Sequence, residues 1–379
     1  MALGTIDTNQ IASEAVTVPK VTDQVLSNRN FVINGDFQCW QRASAATAAN
    51  NSYSTVDRWA FGEGTDGAYT SERSTDTPTG TGYSIKAQVT TADTSLAAGQ
   101  YAYIWQSIEA QNLQSLLYGT ASAKTLTLSF WVKSSKTGTY SIVIRKNDST
   151  LYAFTHDYSI SSANTWEKKT ITITPTAGST SFITASAGAI ANDNGLGFEV
   201  IFALGQGSTY AIGTSNTWSS NSNTYASSNQ VNWMDSTSNN FYLSQVQLEI
   251  GDAATPFEHE NYGTTLAKCQ RYFHRFQSDT AYDAYAPAYW LVTTQVYSMY
   301  EFPVTMRSQP SIAVSAVSDW KIHSNGGDGN LGSLIVNRAT PNNMQTFSDQ
   351  SSNTGTAGHA GAIRNYGSTS PYIEFSAEL

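Results

Sequence analysis

Residues 124–133 read KTLTLSFWVK, and their alternation decides the fold class. Leu126, Leu128, Phe130 and Val132 share one face of an extended chain, and Thr127, Ser129, Trp131 and Lys133 share the other. A helix would scatter the apolar side chains around its circumference, so period two makes this segment a half-buried strand. The rhythm returns on either side. Tyr140, Ile142 and Ile144 fall together, Thr170–Thr174 alternates, and Phe198, Val200, Phe202 and Leu204 line one side of another run. Gly, Asn, Asp and Ser punctuate these runs from Asn30 onward, the pattern of an antiparallel sandwich or barrel. No fixed-period repeat is present, which disfavours a β-helix or propeller.

Composition narrows the class further. The chain has 379 residues, enough for two or three modules. Ser and Thr supply about a quarter of it, 12% is aromatic and only 13% is charged. Too few Lys, Glu and Arg are present for a helical bundle, and too many aromatics for a disordered chain. The net charge of -9 argues against a nucleic-acid partner, whose phosphates call for clustered Lys and Arg. No run reaches 18 apolar residues, so no membrane insertion is expected. The start, MALGTIDTNQIASEAV, lacks the basic and apolar regions of a secretory signal, so synthesis in a reducing cytoplasm is expected. Cys39 and Cys269 stand far apart in sequence and are expected to be buried free thiols.

Three units follow. Residues 1–29 carry sparse aliphatic side chains (Ile6, Ile11, Val16, Val18, Val21 and Val25) that cannot form a core by themselves. The expectation is an extended attachment segment that buries them against another protein. Residues 30–262 form the main β-domain and residues 263–379 a smaller C-terminal β-domain. A short helix is predicted over Ile108–Tyr118, ended by Gly119. A Ser/Asn-rich loop at 212–240 carries Trp218, Tyr225 and Trp233 and reads as flexible or functional. The strand Phe241–Ile250 changes phase near Ser244–Gln245, which predicts a bulge. LAKCQRYFHRF, at 266–276, fits a helix or a strand. Strands are predicted at Trp290–Phe302, Ser311–Val317 and Tyr372–Leu379.

Catalytic motifs are absent. His156, His259, His274, His323 and His359 have no His or Cys at metal-ligand spacing, and neither a GxSxG elbow nor a P-loop occurs. Asn192-Asp193-Asn194-Gly195 reads as a turn, and Glu199 as an acid on the sheet surface. No catalytic residue, metal or cofactor is expected. The informative signal is aromatic. Trp131 points away from the apolar face of its strand, among Thr127, Ser129 and Lys133. A ring among hydroxyls can stack on the C–H groups of a sugar while its neighbours hydrogen-bond the hydroxyls. Trp218 and Trp233 of the long loop are further candidates for that role. The competing reading is that another layer covers this face. Trp40 and Trp59 read as core.

Several separated motifs occur in a recognisable order: FVINGDFQCWQR at 31–42, Asp57-Arg58-Trp59, LTLSFWVK at 126–133, and FYLSQVQLEIGDAATPFEHENYGTTLAKCQRYF at 241–273. Together they resemble the jelly-roll, carbohydrate-binding-module-like domain of many bacteriophage tail fibre and other virion proteins. The resemblance covers about residues 30–275. It implies an all-β fold, a jelly-roll β-sandwich opened by a turn at Asn34–Phe37 and closed by Gln247-Leu248-Glu249 and Pro256-Phe257-Glu258. Related modules hold a calcium ion through acids where this chain has Gln38 and Ser244-Gln245, so those ligands are missing here.

The function expected on these grounds is that of a non-catalytic tail-fibre adhesin. It would sit in the virion as a homotrimer, bound to other virion proteins and to a glycan of the host surface. The alternatives are a head-decoration, connector or knob protein that binds virion proteins alone, and a glycan depolymerase, which the missing repeats and acid motifs disfavour.

Overall fold

The computed structural model describes residues 28–48, 52–277, 280–325, 327–349, 355–367 and 371–379. The proposed attachment side chains Ile6, Ile11, Val16, Val18, Val21 and Val25 lie outside the described residues. The first unit contains β1 (Ala45–Thr47), β2 (Trp59–Glu63), β3 (Ala68–Ser74), β4 (Ser84–Thr91), β5 (Tyr101–Glu109) and β6 (Leu126–Ser134). It continues with β7 (Gly138–Lys146), β8 (Tyr152–Ile160), β9 (Glu167–Ile173), β10 (Leu196–Gln206), β11 (Thr217–Ser219) and β12 (Asn240–Ile250). Among the described residues these pair antiparallel into two six-stranded sheets, ordered β1-β3-β4-β12-β6-β9 and β11-β8-β7-β10-β5-β2. The two faces pack as a jelly-roll sandwich.

Alternation explains the core. Leu126, Leu128, Phe130 and Val132 of β6 are wholly buried against Phe198, Val200, Phe202 and Leu204 of β10. Each such side chain contributes roughly 1.5–3 kcal/mol through burial, offset in large part by chain ordering. The predicted helix at Ile108–Tyr118 is instead the end of β5 followed by a 3-10 turn, Ala110–Leu116. Its buried side chains (Ala110, Leu113 and Leu116) repeat every three residues, which suits the tighter helix. Leu117, at φ 54°, ends it before Gly119 does.

The NGDF turn opens the sandwich and binds the bulge in β12. The Asn34 side-chain amide donates to the Cys39 and Asp57 carbonyls, and the Cys39 N–H donates back to its oxygen. Val246 N–H donates to Gly35 O at 2.9 Å. A side chain on Gly35 would put its Cβ 2.1 Å from Val246 O, so glycine permits this close approach. The register of β12 against β6 shifts between Ser244 and Gln247, where the bulge was predicted. Glu258 then accepts from the backbone N–H groups of Asn28, Arg29 and Asn30, tying the start of the unit to its end.

The segment at 266–276 divides its two readings. Helix α1 (Tyr262–Gln270) is capped by the Asn261 side chain, and β13 (Phe273–Gln277) follows. The second unit adds β14 (Ala284–Val292), β15 (Gln295–Glu301), β16 (Ser311–Val314), β17 (Trp320–Ser324) and β18 (Gly327–Asn330). It ends with β19 (Ile335–Ala339), β20 (Asn343–Asp349), β21 (Ala360–Asn365) and β22 (Tyr372–Ser376). The predicted strand Trp290–Phe302 is a hairpin, β14 and β15 turning at Thr293-Thr294. The described strands form a three-stranded sheet, β13-β22-β16, and a seven-stranded sheet, β18-β17-β21-β14-β15-β20-β19. Trp290, Tyr300, Trp320, Ile322, Met344 and Phe375 supply the core between them.

A charged joint holds the two units together. Arg58, wholly buried, pairs with Glu378 and lies 3.4 Å from the centre of the Tyr272 ring. Arg42 bridges Asp57 and Glu378, both at 2.9 Å, and lies 3.6 Å from the centre of the Phe273 ring. Cys39 and Cys269 are free and buried, and their side chains touch beside this joint.

Candidate functional site

Sequence reasoning placed a sugar platform on the outer face of β6. Trp131 does lie there, half-buried, opposite Ser244 of β12 and Lys168 of β9. Its neighbours serve other purposes. Thr127 is buried and its hydroxyl donates to Gly251 O at 2.9 Å. Ser129 is 3% exposed, beside Gln247, whose amide donates to Glu249 and Thr255. The chain leaving β12 folds back over this part of the sheet and covers both hydroxyls. Lys133 pairs with Asp76, and its Nζ sits 4.2 Å from the centre of the Tyr242 ring. Thr127 and Ser129 therefore have no surface for a ligand.

Trp218 and Trp233 are also core residues. Trp218 donates from Nε1 to Thr174 O at 2.9 Å and packs against Phe154 and Tyr118. Trp233 is wholly buried, edge-on to Tyr69 at 5.7 Å. The long loop drops both indoles into the sandwich, because a large aromatic gains most by leaving water completely. Neither can meet a glycan in the folded chain.

A second aromatic group lies on the outer face of the opposite sheet, with Tyr103 and Trp105 buried and Tyr101, Tyr210 and Tyr225 half-buried. Strand β5 turns Ala102 and Ile104 into the core, which directs Tyr101, Tyr103 and Trp105 outward. The chain between β10 and β12 brings Tyr210 and Tyr225 over them. Tyr101 and Tyr103 stack at 5.3 Å, Tyr103 and Tyr225 stack at 5.6 Å, and Tyr210 stands edge-on to Tyr101 and Tyr225. These four tyrosines line a cavity of about 150 Å³. Gly62 of β2 makes room for the group: a Cβ there would come within 2.7 Å of the Tyr103 ring.

Charged groups hold the groove in place. The Arg145 guanidinium donates to the Tyr225 hydroxyl at 2.7 Å and to Glu199 at 2.9 Å, with its centre 4.4 Å from the centre of the Tyr225 ring. Glu199 also accepts from the Asn147 amide at 2.7 Å. Burial raises the Tyr101, Tyr103 and Tyr225 phenols above their ordinary value, so they stay neutral and can both donate and accept. Tyr103 is sandwiched between Tyr101 and Tyr225, so the half-buried rings of Tyr101, Tyr210 and Tyr225 at the rim are the ones that can meet a polyol. Glu199, the acid of this face, is occupied in holding Arg145 and Asn147. Among the described residues, no group of three or more His, Cys, Asp or Glu is placed to hold a metal ion.

The sequence held part of this signal. Tyr225 stands in the 212–240 loop, whose composition reads as flexible or functional, whereas Tyr101, Tyr103, Tyr210 and Arg145 were missed. In YAYIW both alternating sets are apolar or aromatic, so periodicity groups the tyrosines without saying which set faces the core.

No protein-family model matches the chain, and no curated protein matches it. Solved structures with a similar arrangement include a provisionally assigned sugar-binding protein from Bacteroides thetaiotaomicron VPI-5482. It aligns over 59% of this chain and 100% of its own, with 13% identity and a TM-score of 0.35. A family 11 carbohydrate-binding module from Clostridium thermocellum, in complex with a mixed-linked tetrasaccharide, aligns over 57% of this chain and 99% of its own. Its identity is 15% and its TM-score 0.28. The enzymatically active domain of tailspike protein 4 from bacteriophage CBA120 aligns over 59% of this chain and 21% of its own, with 14% identity and a TM-score of 0.29. Likeness at these scores carries no residue and no role across to this chain.

Proposed function

We propose that this chain is a non-catalytic glycan-binding protein whose saccharide rests in the groove of Tyr101, Tyr103, Tyr210 and Tyr225. The observation that carries the reading is a group of four mutually packed tyrosine rings lining one cavity, with Tyr225 held by Arg145. Rings that are already ordered lose little entropy on meeting a ligand. The motifs that resemble phage tail fibre proteins support a place in the virion, as an adhesin for a host-surface glycan.

A glycan array followed by calorimetry tests this. Tyr225→Ala should weaken binding roughly five-fold or more, since ring stacking is worth about 1 kcal/mol beyond buried area. Trp131→Ala should leave binding unchanged. A parent protein that binds no glycan would favour the head-decoration or connector reading. Release of reducing sugar would favour the depolymerase.

Self-association as a homotrimer belongs to the same proposal. Tyr289, Tyr297, Phe347 and Ile335 form one row across β14, β15, β20 and β19, and Tyr289 and Ile335 are exposed. An apolar row of this kind is a feature of surfaces that meet a partner, and closed rotational symmetry is the ordinary way for identical chains to cover it. Sedimentation equilibrium should give three times the chain mass at micromolar concentration, and Tyr297→Lys should lower that mass. A monomeric parent would remove the trimer from the proposal.

A further inference from the structure

A second cavity, of about 420 Å³, opens at the end of the other sheet beside the turn at Asp36–Gln38, away from the tyrosine groove. Four separate parts of the chain build it: the turn at Asp36–Gln38, the end of β3 with the loop to β4, the bulge of β12, and the start of α1 with His259 before it. That volume lies in the range of ordinary small-molecule sites.

His259 stands beside Asp36 in the same wall, and neither forms an ion pair among the described residues. Asp36 is held by its neighbour Gln38, whose side-chain amide donates to it, and it makes no ion pair among the described residues. Burial raises its carboxyl above the ordinary value in spite of that bond, so the anion is under-solvated and would gain from a cation. Arg73 stands at the end of β3 with its guanidinium 4.7 Å from the centre of the Tyr83 ring. It too has no ion pair among the described residues. The cavity thus presents a carboxylate with His259 beside it, and a guanidinium, to the same space, neither charge in an ion pair among the described residues.

The remaining wall suits a sugar body. Tyr83 and Tyr262 offer rings, with Tyr262 52% exposed, and Thr79 and Thr81 offer hydroxyls. Gln245 lines the cavity from the bulge at φ 50°, a left-handed conformation that a residue other than glycine holds at a cost. The turn that binds Val246 maintains it there.

We propose that this cavity binds a hexose-sized zwitterion, with an ammonium group at Asp36 and an anionic group at Arg73. Such a ligand neutralises both side chains at once, which a neutral sugar cannot do. The site is independent of the tyrosine groove. Calorimetry of the full chain at neutral pH with four probes tests it: glucosamine 6-phosphate, glucosamine, glucose 6-phosphate and glucose. Glucosamine 6-phosphate should bind about ten-fold or more tightly than either sugar that carries only one of the two groups, the scale of one charge-assisted hydrogen bond.

Asp36→Asn should abolish the gain from the amine and keep the gain from the phosphate. Arg73→Gln should do the reverse, and Tyr225→Ala should change neither. Arg73 is exposed, so Arg73→Gln and the probes that carry only one of the two groups decide the question even where Asp36→Asn does not fold. Equal affinity for all four probes, binding of none, or both gains surviving the two substitutions would overturn the proposal.

Discussion

A Glu378→Ala chain should unfold with about 3–5 kcal/mol less free energy than the parent, the cost of leaving a buried charge without its partner. Glu378 faces two arginines. Arg58 has no exposed side chain, and its second Nη donates to Ser107 O at 2.6 Å. Arg42, 8% exposed, shares Glu378 with Asp57. Burial works against the Arg58 charge, and Glu378 opposes burial strongly enough to hold the guanidinium above its ordinary value. Removing the carboxylate leaves that charge with a carbonyl and the Tyr272 ring. The pair also fixes the last residues of the chain onto the sandwich, where Arg307 donates to the Ala377 and Glu378 carbonyls. Urea unfolding monitored by tryptophan fluorescence measures the loss. An unchanged midpoint would mean that the joint does not form in solution.

The second large effect is on acid stability. His274 is 9% exposed, and neither of its ring nitrogens has a hydrogen-bond partner. Its ring stands edge-on to Phe276 at 4.5 Å, and its strand partner is Phe375. Burial lowers its pKa from 6.5 to about 4. The unfolded chain therefore takes up this proton before the folded one. The stability that the neutral ring contributes is complete above pH 6.5 and is lost as pH falls through about 4. The slope approaches about 1.4 kcal/mol per pH unit and the sum about 3 kcal/mol.

Asp57 acts in the opposite sense over an overlapping window. Burial, against the pull of Arg42, pushes its carboxyl up to about 6, so its contribution grows as pH falls from about 6 towards 3.8. The two offset each other in the parent chain. A comparison with His274→Phe separates them: the variant should keep more of its stability than the parent at pH 4.5. A pH-independent difference between the two would show that the imidazole reaches water in the folded state.

Where the sequence misled, a particular competition decided the outcome. At 108–118, helical spacing competed with the pairing of β5 to β10, which continues as far as Glu109. Pairing prevailed, leaving room for a 3-10 turn. At 290–302 a run rich in apolar and aromatic residues hid a hairpin, since Thr293-Thr294 lacks the Gly or Asn that usually marks one. The bulge at Ser244–Gln245 was legible because a bulge shifts side-chain phase, and phase is written in the sequence.

The same distinction separates the two aromatic surfaces. Alternation by itself determined that Trp131 shares a face with Thr127, Ser129 and Lys133, and that Tyr101 shares one with Tyr103 and Trp105. It also determined an all-β chain built around alternating strands. Whether an outward face stays open depends on segments distant in sequence. The chain after β12 buries Thr127 and Ser129, the long loop carries Trp218 and Trp233 into the core, and that same loop completes a groove with Tyr225. Strand periodicity is a property of neighbouring residues, fixed by backbone geometry. Covering a face is a long-range contact whose gain depends on the total apolar area removed from water, and only the folded chain decides where that area is greatest.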